Sequence, residues 1–317
     1  MFKHTIRVLG LNANSETRQR VPVVSLRSEG KNYLRILYDF AKNRTQVYMY
    51  VGPAIISMLI ASNGKIELFG LAAVALSTYF ASLSTYIYND VYDVKIDKTN
   101  TTNRPLVSTK ATGKDLLLLT TALNLASVAL ILTTNILAAL SLVAFISLGI
   151  LYSHPKTSLK DKFPFKTITA GTGALLTSFT GSLVVGVLPT YVIYVALVSF
   201  ASLFILGSLG DIGDLKGDRE AKRRTFPIVM GVRNTLVMMS LIVVAITFGT
   251  ILVYEVLNIN IIGLFLIIGI STSMIAVLRS SSSNFSERNS VMKTRYKMRT
   301  LHLLCQFSML IGIMQIF

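Results

Sequence analysis

The chain has 317 residues, of which 52% are hydrophobic and only 15% charged, with a formal net charge of +16 and a mean hydropathy of +0.60. Soluble domains carry about 25% charged residues, so this composition excludes an ordinary soluble protein and points to one embedded in a bilayer. The single cysteine, Cys305, excludes an internal disulfide.

Residues 1–32 read as a flexible basic tail without the apolar core of a secretory signal, and residues 33–317 as one membrane domain. Tyr33, Leu34, Leu37, Phe40 and Ala41 recur at helical spacing among charges, which predicts a short amphipathic helix at the membrane interface. Nine apolar runs follow, at 46–62, 67–88, 115–133, 136–152, 167–188, 190–209, 234–254, 259–278 and 301–317. A spanning helix needs about 20 residues, and most of these runs contain no Asp, Glu, Lys or Arg. The expected fold is all-α, an integral membrane bundle of nine helices.

Charge is distributed unevenly between the runs. The stretch before the first run carries nine Lys and Arg, and the second, fourth, sixth and eighth connections carry five, four, six and six. Lys65 is the only basic residue in the remaining connections. By the positive-inside rule the basic face, with the N-terminus, is cytoplasmic and the C-terminus lies outside. The positive charge is thus a topology signal that also suits anionic lipid, and nucleic acid is excluded as its partner.

Two acidic clusters interrupt this pattern. "NDVYDVKID" follows the second run with Asp90, Asp93 and Asp97, and "DIGDLKGD" follows the sixth with Asp211, Asp214 and Asp218. Positions i, i+3 and i+7 fall within about 60° on a helix, so each triplet shares a face. Asn89 lies on the edge of the first, and Gly210, Gly213 and Gly217 threaten to break the second helix early. A lone aspartate at a span end is an interfacial residue, but six of the fifteen acids in two copies of one spacing point to bound cations. Oxygen-only donors without His or Cys favour a hard ion, Mg²⁺. Arg104, Lys156, Lys160, Lys216, Arg219, Lys222, Arg223 and Arg224 surround the clusters. Metal-bearing carboxylates among bases suit a diphosphate, and its place at a lipid interface suggests a substrate that is itself part lipid.

These motifs resemble those of the UbiA superfamily of intramembrane prenyltransferases, and "YSHPK" matches that family's turn after the fourth span at Tyr152 and Lys156. The resemblance covers roughly residues 40–317. It implies a central cavity under a cytoplasmic cap, with Mg²⁺ on Asn89, Asp93, Asp214 and Asp218 and with Asp90, Asp97 and Asp211 supporting. It further implies that Arg104, Lys156 and Arg219, joined by Arg44, contact a prenyl diphosphate. Loss of the diphosphate would leave an allylic carbocation, for which Tyr86, Tyr88, Tyr92 and Tyr152 are candidate aromatic partners, though belt tyrosines look the same. "GDRE…RTFPIVMG" is similar to the archaeal digeranylgeranylglyceryl phosphate and chlorophyll branches, whereas "NRPLVS" is nearer the haem-farnesylating branch. The implied donor is therefore geranylgeranyl diphosphate and the implied acceptor geranylgeranylglyceryl phosphate, with an aromatic acceptor of quinone synthesis as the alternative. A membrane transporter is the competing non-enzyme class, but its sites lie near the midplane and these clusters lie at one face.

Overall fold

The computed structural model describes residues 33–65, 67–99, 112–281 and 288–314, with side chains at 95–99 and 281 excepted. The tail before residue 33, Arg104 and the side chain of Asp97 lie outside the described residues. Twelve α-helices occur among those residues: α1 (Tyr33–Asn43), α2 (Tyr48–Ala61), α3 (Leu68–Thr99), α4 (Gly113–Leu132), α5 (Ile136–Ser153), α6 (Phe165–Val184), α7 (Thr190–Gly213), α8 (Leu215–Glu220), α9 (Phe226–Val229), α10 (Gly231–Val253), α11 (Ile261–Ser281) and α12 (Arg288–Ile313). Each of the nine apolar runs overlaps one of these helices, although the last helix begins at Arg288, well before the ninth run. The protein is an all-helical, multi-pass membrane protein.

Six helices, α3, α4, α5, α7, α10 and α11, are long and apolar enough to cross a membrane. The other three of the nine differ for identifiable reasons. α2 has only 14 residues, and α12 starts with a charged half, "RNSVMKTRYKMR". α6 is rich in Gly, Ser and Thr, and ten of its residues are buried. A helix that touches protein on most sides is chosen for close packing rather than for apolarity. α6 packs on α2, α5 and α7, and α12 packs on α7, α11 and α2, so the last long helix closes a ring against the first. Two glycines permit this. A Cβ at Gly181 of α6 would lie 1.8 Å from the Ala54 carbonyl oxygen of α2, and one at Gly263 of α11 would lie 2.4 Å from the Cα of Gly312 in α12.

The exterior is apolar: Leu118, Leu125, Leu140, Phe248 and Phe265 are exposed, as helix faces against lipid should be. The predicted amphipathic helix is α1. Its Phe40 is fully buried, in a cluster with Leu83, Ile87, Leu116 and Leu123 of α3 and α4, while Leu34 and Tyr38 face outwards. Thr112 and Asp115 form a reciprocal capping box that starts α4.

The ends of α3 and α7 matter most for the site. α3 has 32 residues and is roughly 48 Å long, well beyond the roughly 30 Å of a hydrocarbon core. It therefore carries Asn89, Asp90 and Asp93 as one continuous helix past its apolar part. α7 ends at Gly213, and Asp214 is the joint before α8. The break is slight, because the Asp214 amide still donates to Gly210 and the Asp218 amide to Asp214, each at 3.0 Å.

Candidate active site

A cavity of about 200 Å³ opens between α2, α3, α5, α6, α7 and α12. From α3 it receives Tyr86, Asn89 and Asp93, and from α5 Phe145 and Tyr152. Lys166 opens α6, Asp211 closes α7, and Asp214 and Asp218 follow. Arg44, Gln46, Tyr50, Arg223 and Arg295 complete the polar and aromatic wall. The two acidic clusters, about 120 residues apart in the chain, thus share one space.

Each carboxylate but one is held by buried bases. Lys160 Nζ lies 2.9 Å and Arg223 Nη2 2.6 Å from Asp93 Oδ1. Lys160 also donates to Asn89 Oδ1 at 3.1 Å, where the Ser153 hydroxyl donates at 3.0 Å. Lys166 Nζ bridges Asp211 at 2.9 Å and Asp218 at 2.6 Å, and the Thr167 hydroxyl adds a bond to Asp211. Arg223 reaches Asp218 at 3.6 Å and Asp161 at 2.6 Å as well, so one guanidinium ties both motifs together. Asp214 is the looser member, 3.4 Å from Arg288. Asp90 lies behind the wall, fully buried and ion-paired with Arg44, which is thereby set over the Tyr86 ring at 5.3 Å from its centroid.

Burial and charged partners compete in the titration of the groups around the cap. Burial pushes Asp218 upward against the opposing pull of Lys166. It pushes Lys160 downward despite Asp93. Burial also works against the Arg223 charge, but Asp93 and Asp161 outweigh it and raise its pKa.

No three His, Cys, Asp or Glu side chains among the described residues gather into one knot that would enclose a metal alone. The oxygen donors are instead distributed over two facing walls, with Lys and Arg interposed. That donor set fits a hard divalent ion whose coordination is completed by a polyanionic substrate.

Of the residues expected from sequence, Asn89, Asp93, Asp211, Asp214, Asp218, Tyr152 and Arg44 line the cavity and Asp90 backs it. Lys156 and Arg219 are exposed and do not line it. The reason is local. Ser158 adopts a left-handed conformation at φ 35° before the 3₁₀ turn Leu159–Asp161, which turns Lys160 inwards and leaves Lys156 on the rim. On the single turn and a half of α8, Asp218 faces in and its neighbour Arg219 faces out. Tyr88 and Tyr92 pair with each other at 5.1 Å, away from the cavity. Sequence reasoning did not single out Lys166, Tyr50, Phe145 or Arg295. Lys166 had one signal, a base at the start of a Gly/Ser/Thr-rich run.

An all-helical membrane bundle with a polar, cation-lined pocket at one end of its spans defines an intramembrane enzyme acting on an anionic substrate. The sequence pattern of the UbiA prenyltransferase family matches residues 50–299, and the chain belongs to that family; it is a prenyltransferase. Among curated relatives, the digeranylgeranylglyceryl phosphate synthase of Sulfurisphaera tokodaii is 28% identical over 269 residues, 81% of this chain and 93% of that protein. The enzyme of the same name from Saccharolobus solfataricus is 34% identical over 128 residues, 40% of this chain and 45% of its own length. Two solved structures share the fold. One, of a digeranylgeranylglyceryl phosphate synthase, has a TM-score of 0.69 at 21% identity over 89% of this chain and 99% of that chain. The other, a UbiA homolog from Archaeoglobus fulgidus bound to GPP and Mg²⁺, has a TM-score of 0.64 at 18% identity, over 88% and 99% respectively.

Proposed function

We propose that the protein transfers a geranylgeranyl group from its diphosphate to geranylgeranylglyceryl phosphate, with Mg²⁺ as cofactor, in archaeal ether-lipid synthesis. The observation that carries this reading is the cavity in which Asn89, Asp93, Asp214 and Asp218 stand beside Lys160, Lys166 and Arg223 and beneath an aromatic wall. The relatives' names support the acceptor, and the A. fulgidus homolog supports the donor class and the metal.

The roles follow from chemistry. Asn89, Asp93, Asp214 and Asp218 would hold Mg²⁺, with Asp211 behind Lys166 and Asp97 in support. Bound Mg²⁺ supplies charge neutralisation for the departing diphosphate oxygens. Lys160, Lys166 and Arg223 contact the same oxygens, Arg44 stands beside them, the exposed Lys156 and Arg219 are assigned to the rim, and Arg104, outside the described residues, keeps the diphosphate role that the family motif implies. The C1–O bond of the donor breaks with both electrons leaving on the diphosphate. Tyr86 and Tyr152, with Tyr50 and Phe145 at 5.3 Å from each other, present ring faces to the allylic cation. The acceptor's hydroxyl oxygen then bonds to C1, and its proton passes to a diphosphate oxygen. The cavity is smaller than the roughly 300–1,000 Å³ of ordinary ligand sites. It therefore takes the polar head and the first prenyl unit, and the rest of the chain extends between helices into lipid. We further assign the cap to the cytoplasmic face, the C-terminus to the outer face and a spanning role to α2, α6 and α12.

Purified protein in detergent, given radiolabelled geranylgeranyl diphosphate and Mg²⁺, tests this directly. Ether product with geranylgeranylglyceryl phosphate, none with 4-hydroxybenzoate, and none with EDTA is the expected result. Product only with the aromatic acid would transfer the protein to quinone synthesis, and no product with either would overturn the assignment.

A further inference from the structure

The bases at and behind the cavity wall, of which Arg44, Lys166, Arg223 and Arg295 line it, fall into two groups. Arg44, Lys160, Lys166 and Arg223 each hold an aspartate. Arg295 and Arg299 do not: among the described residues no carboxylate lies within ion-pair reach of either. They stand one turn apart on α12, on the same helix face, close enough for their positive charges to oppose each other. Arg295 lines the cavity, its guanidinium carbon only 3.2 Å from where a Cβ on Gly210 would sit. Arg295 Nε and Arg299 Nη2 are buried without a hydrogen-bond partner among the described residues. Gln46 lines the same cavity, and its carboxamide oxygen is also buried without a partner among the described residues.

Two adjacent guanidinium groups with buried, unused donors are unfavourable on their own, and an anion with several acceptor oxygens relieves both at once. The carboxylate wall cannot supply it, since its acids are already matched to their own bases. The diphosphate belongs to that wall, where the metal-binding oxygens are. A second anion belongs to the α12 wall.

We propose that Arg295 and Arg299 bind the phosphomonoester of the acceptor, with Gln46 accepting a hydrogen bond from a hydroxyl of the same molecule. This rests on the acceptor reading above and deepens it, because it makes phosphate on the acceptor a requirement that an aromatic or uncharged acceptor does not meet.

The test separates binding from transfer. Binding of geranylgeranylglyceryl phosphate to the purified protein is measured in EDTA without donor, beside the corresponding diol lacking phosphate. Wild type is expected to bind the phosphate compound at least tenfold more tightly than the diol. Arg295→Gln and Arg299→Gln are expected to lose that preference, and Arg295→Lys and Arg299→Lys, which retain the charge, to keep most of it. With Mg²⁺ restored, the KM for the donor is expected to change less than twofold in the lysine variants. Equal wild-type binding of phosphate and diol overturns the inference, even if the glutamine variants fail to fold. So does a raised donor KM with unchanged acceptor binding, which would assign the pair to the diphosphate. Wild type that binds the phosphate acceptor selectively yet forms no ether overturns the proposed reaction and supports this subsite. Ether formation with variants that bind as wild type does the reverse.

Discussion

Asp90 and Asp93 are three residues apart on one helix and have different work. Asp93 faces the cavity between Lys160 and Arg223, whereas Asp90 is sealed against Arg44 behind it. Asp93→Asn keeps the shape and a hydrogen-bond acceptor but removes the charge that a metal needs. Turnover is expected to fall by at least roughly 100-fold in protein that still folds, with melting lowered because buried Lys160 and Arg223 lose a charged partner, and Asp218→Asn is expected to behave alike. Full turnover by either would remove that residue from the metal set. Asp90→Ala leaves the Arg44 guanidinium buried and without its carboxylate, at a cost of about 3–5 kcal/mol. A lowered melting temperature should therefore precede any specific kinetic defect. Unchanged melting would show that Arg44 does not depend on Asp90.

At the scale of elements, the close approach of α2 and α6 is decided by one missing side chain. A Cβ at Gly181 would meet a backbone carbonyl at 1.8 Å, and backbone cannot swing aside as a long side chain can. Gly181→Ala must push the two helices apart, costing about 1–3 kcal/mol or more, and thermal melting in detergent reads the loss. Gly249 serves as the control, because a Cβ there would meet open space: Gly249→Ala is expected to melt like wild type. The same elements show what was legible beforehand. Apolar run length located α3, α4, α5, α7, α10 and α11 as helices long enough to cross a membrane, because lipid imposes a minimum length on any helix that crosses it. The spacing of Asp90 and Asp93 identified their common helix, since α3 continues unbroken through the motif. Side-chain direction in the cap was not legible. Nothing in "YSHPKTSLK" announces that Ser158 turns left-handed and exchanges Lys160 for Lys156. Lys166 was hidden for another reason: it joins Asp211 and Asp218 only through the packing of α6 on α7.

The whole molecule places its chemistry at one end. Arg44 precedes α2, Asp93 lies near the end of α3, Tyr152 ends α5, Lys166 begins α6, Asp211 closes α7, and Arg295 lies in the first half of α12. Helices that alternate in direction bring those ends to the same face, which the described basic residues Lys160, Lys166, Arg223 and Arg295 share. If the positive-inside rule orients the protein, that face is cytoplasmic. Residues around 185–189 and 254–260 then lie outside. Cys305 is buried, so introduced cysteines can report on sidedness over a silent background. Lys156→Cys and Glu255→Cys sit at exposed positions in opposite sets of connections. In intact cells a membrane-impermeant maleimide should label Glu255→Cys and spare Lys156→Cys, and permeabilisation should make both react. Labelling of Lys156→Cys alone in intact cells would invert the protein and put its diphosphate site outside. Labelling of both in intact cells would break the alternation of spans on which the shared cavity depends.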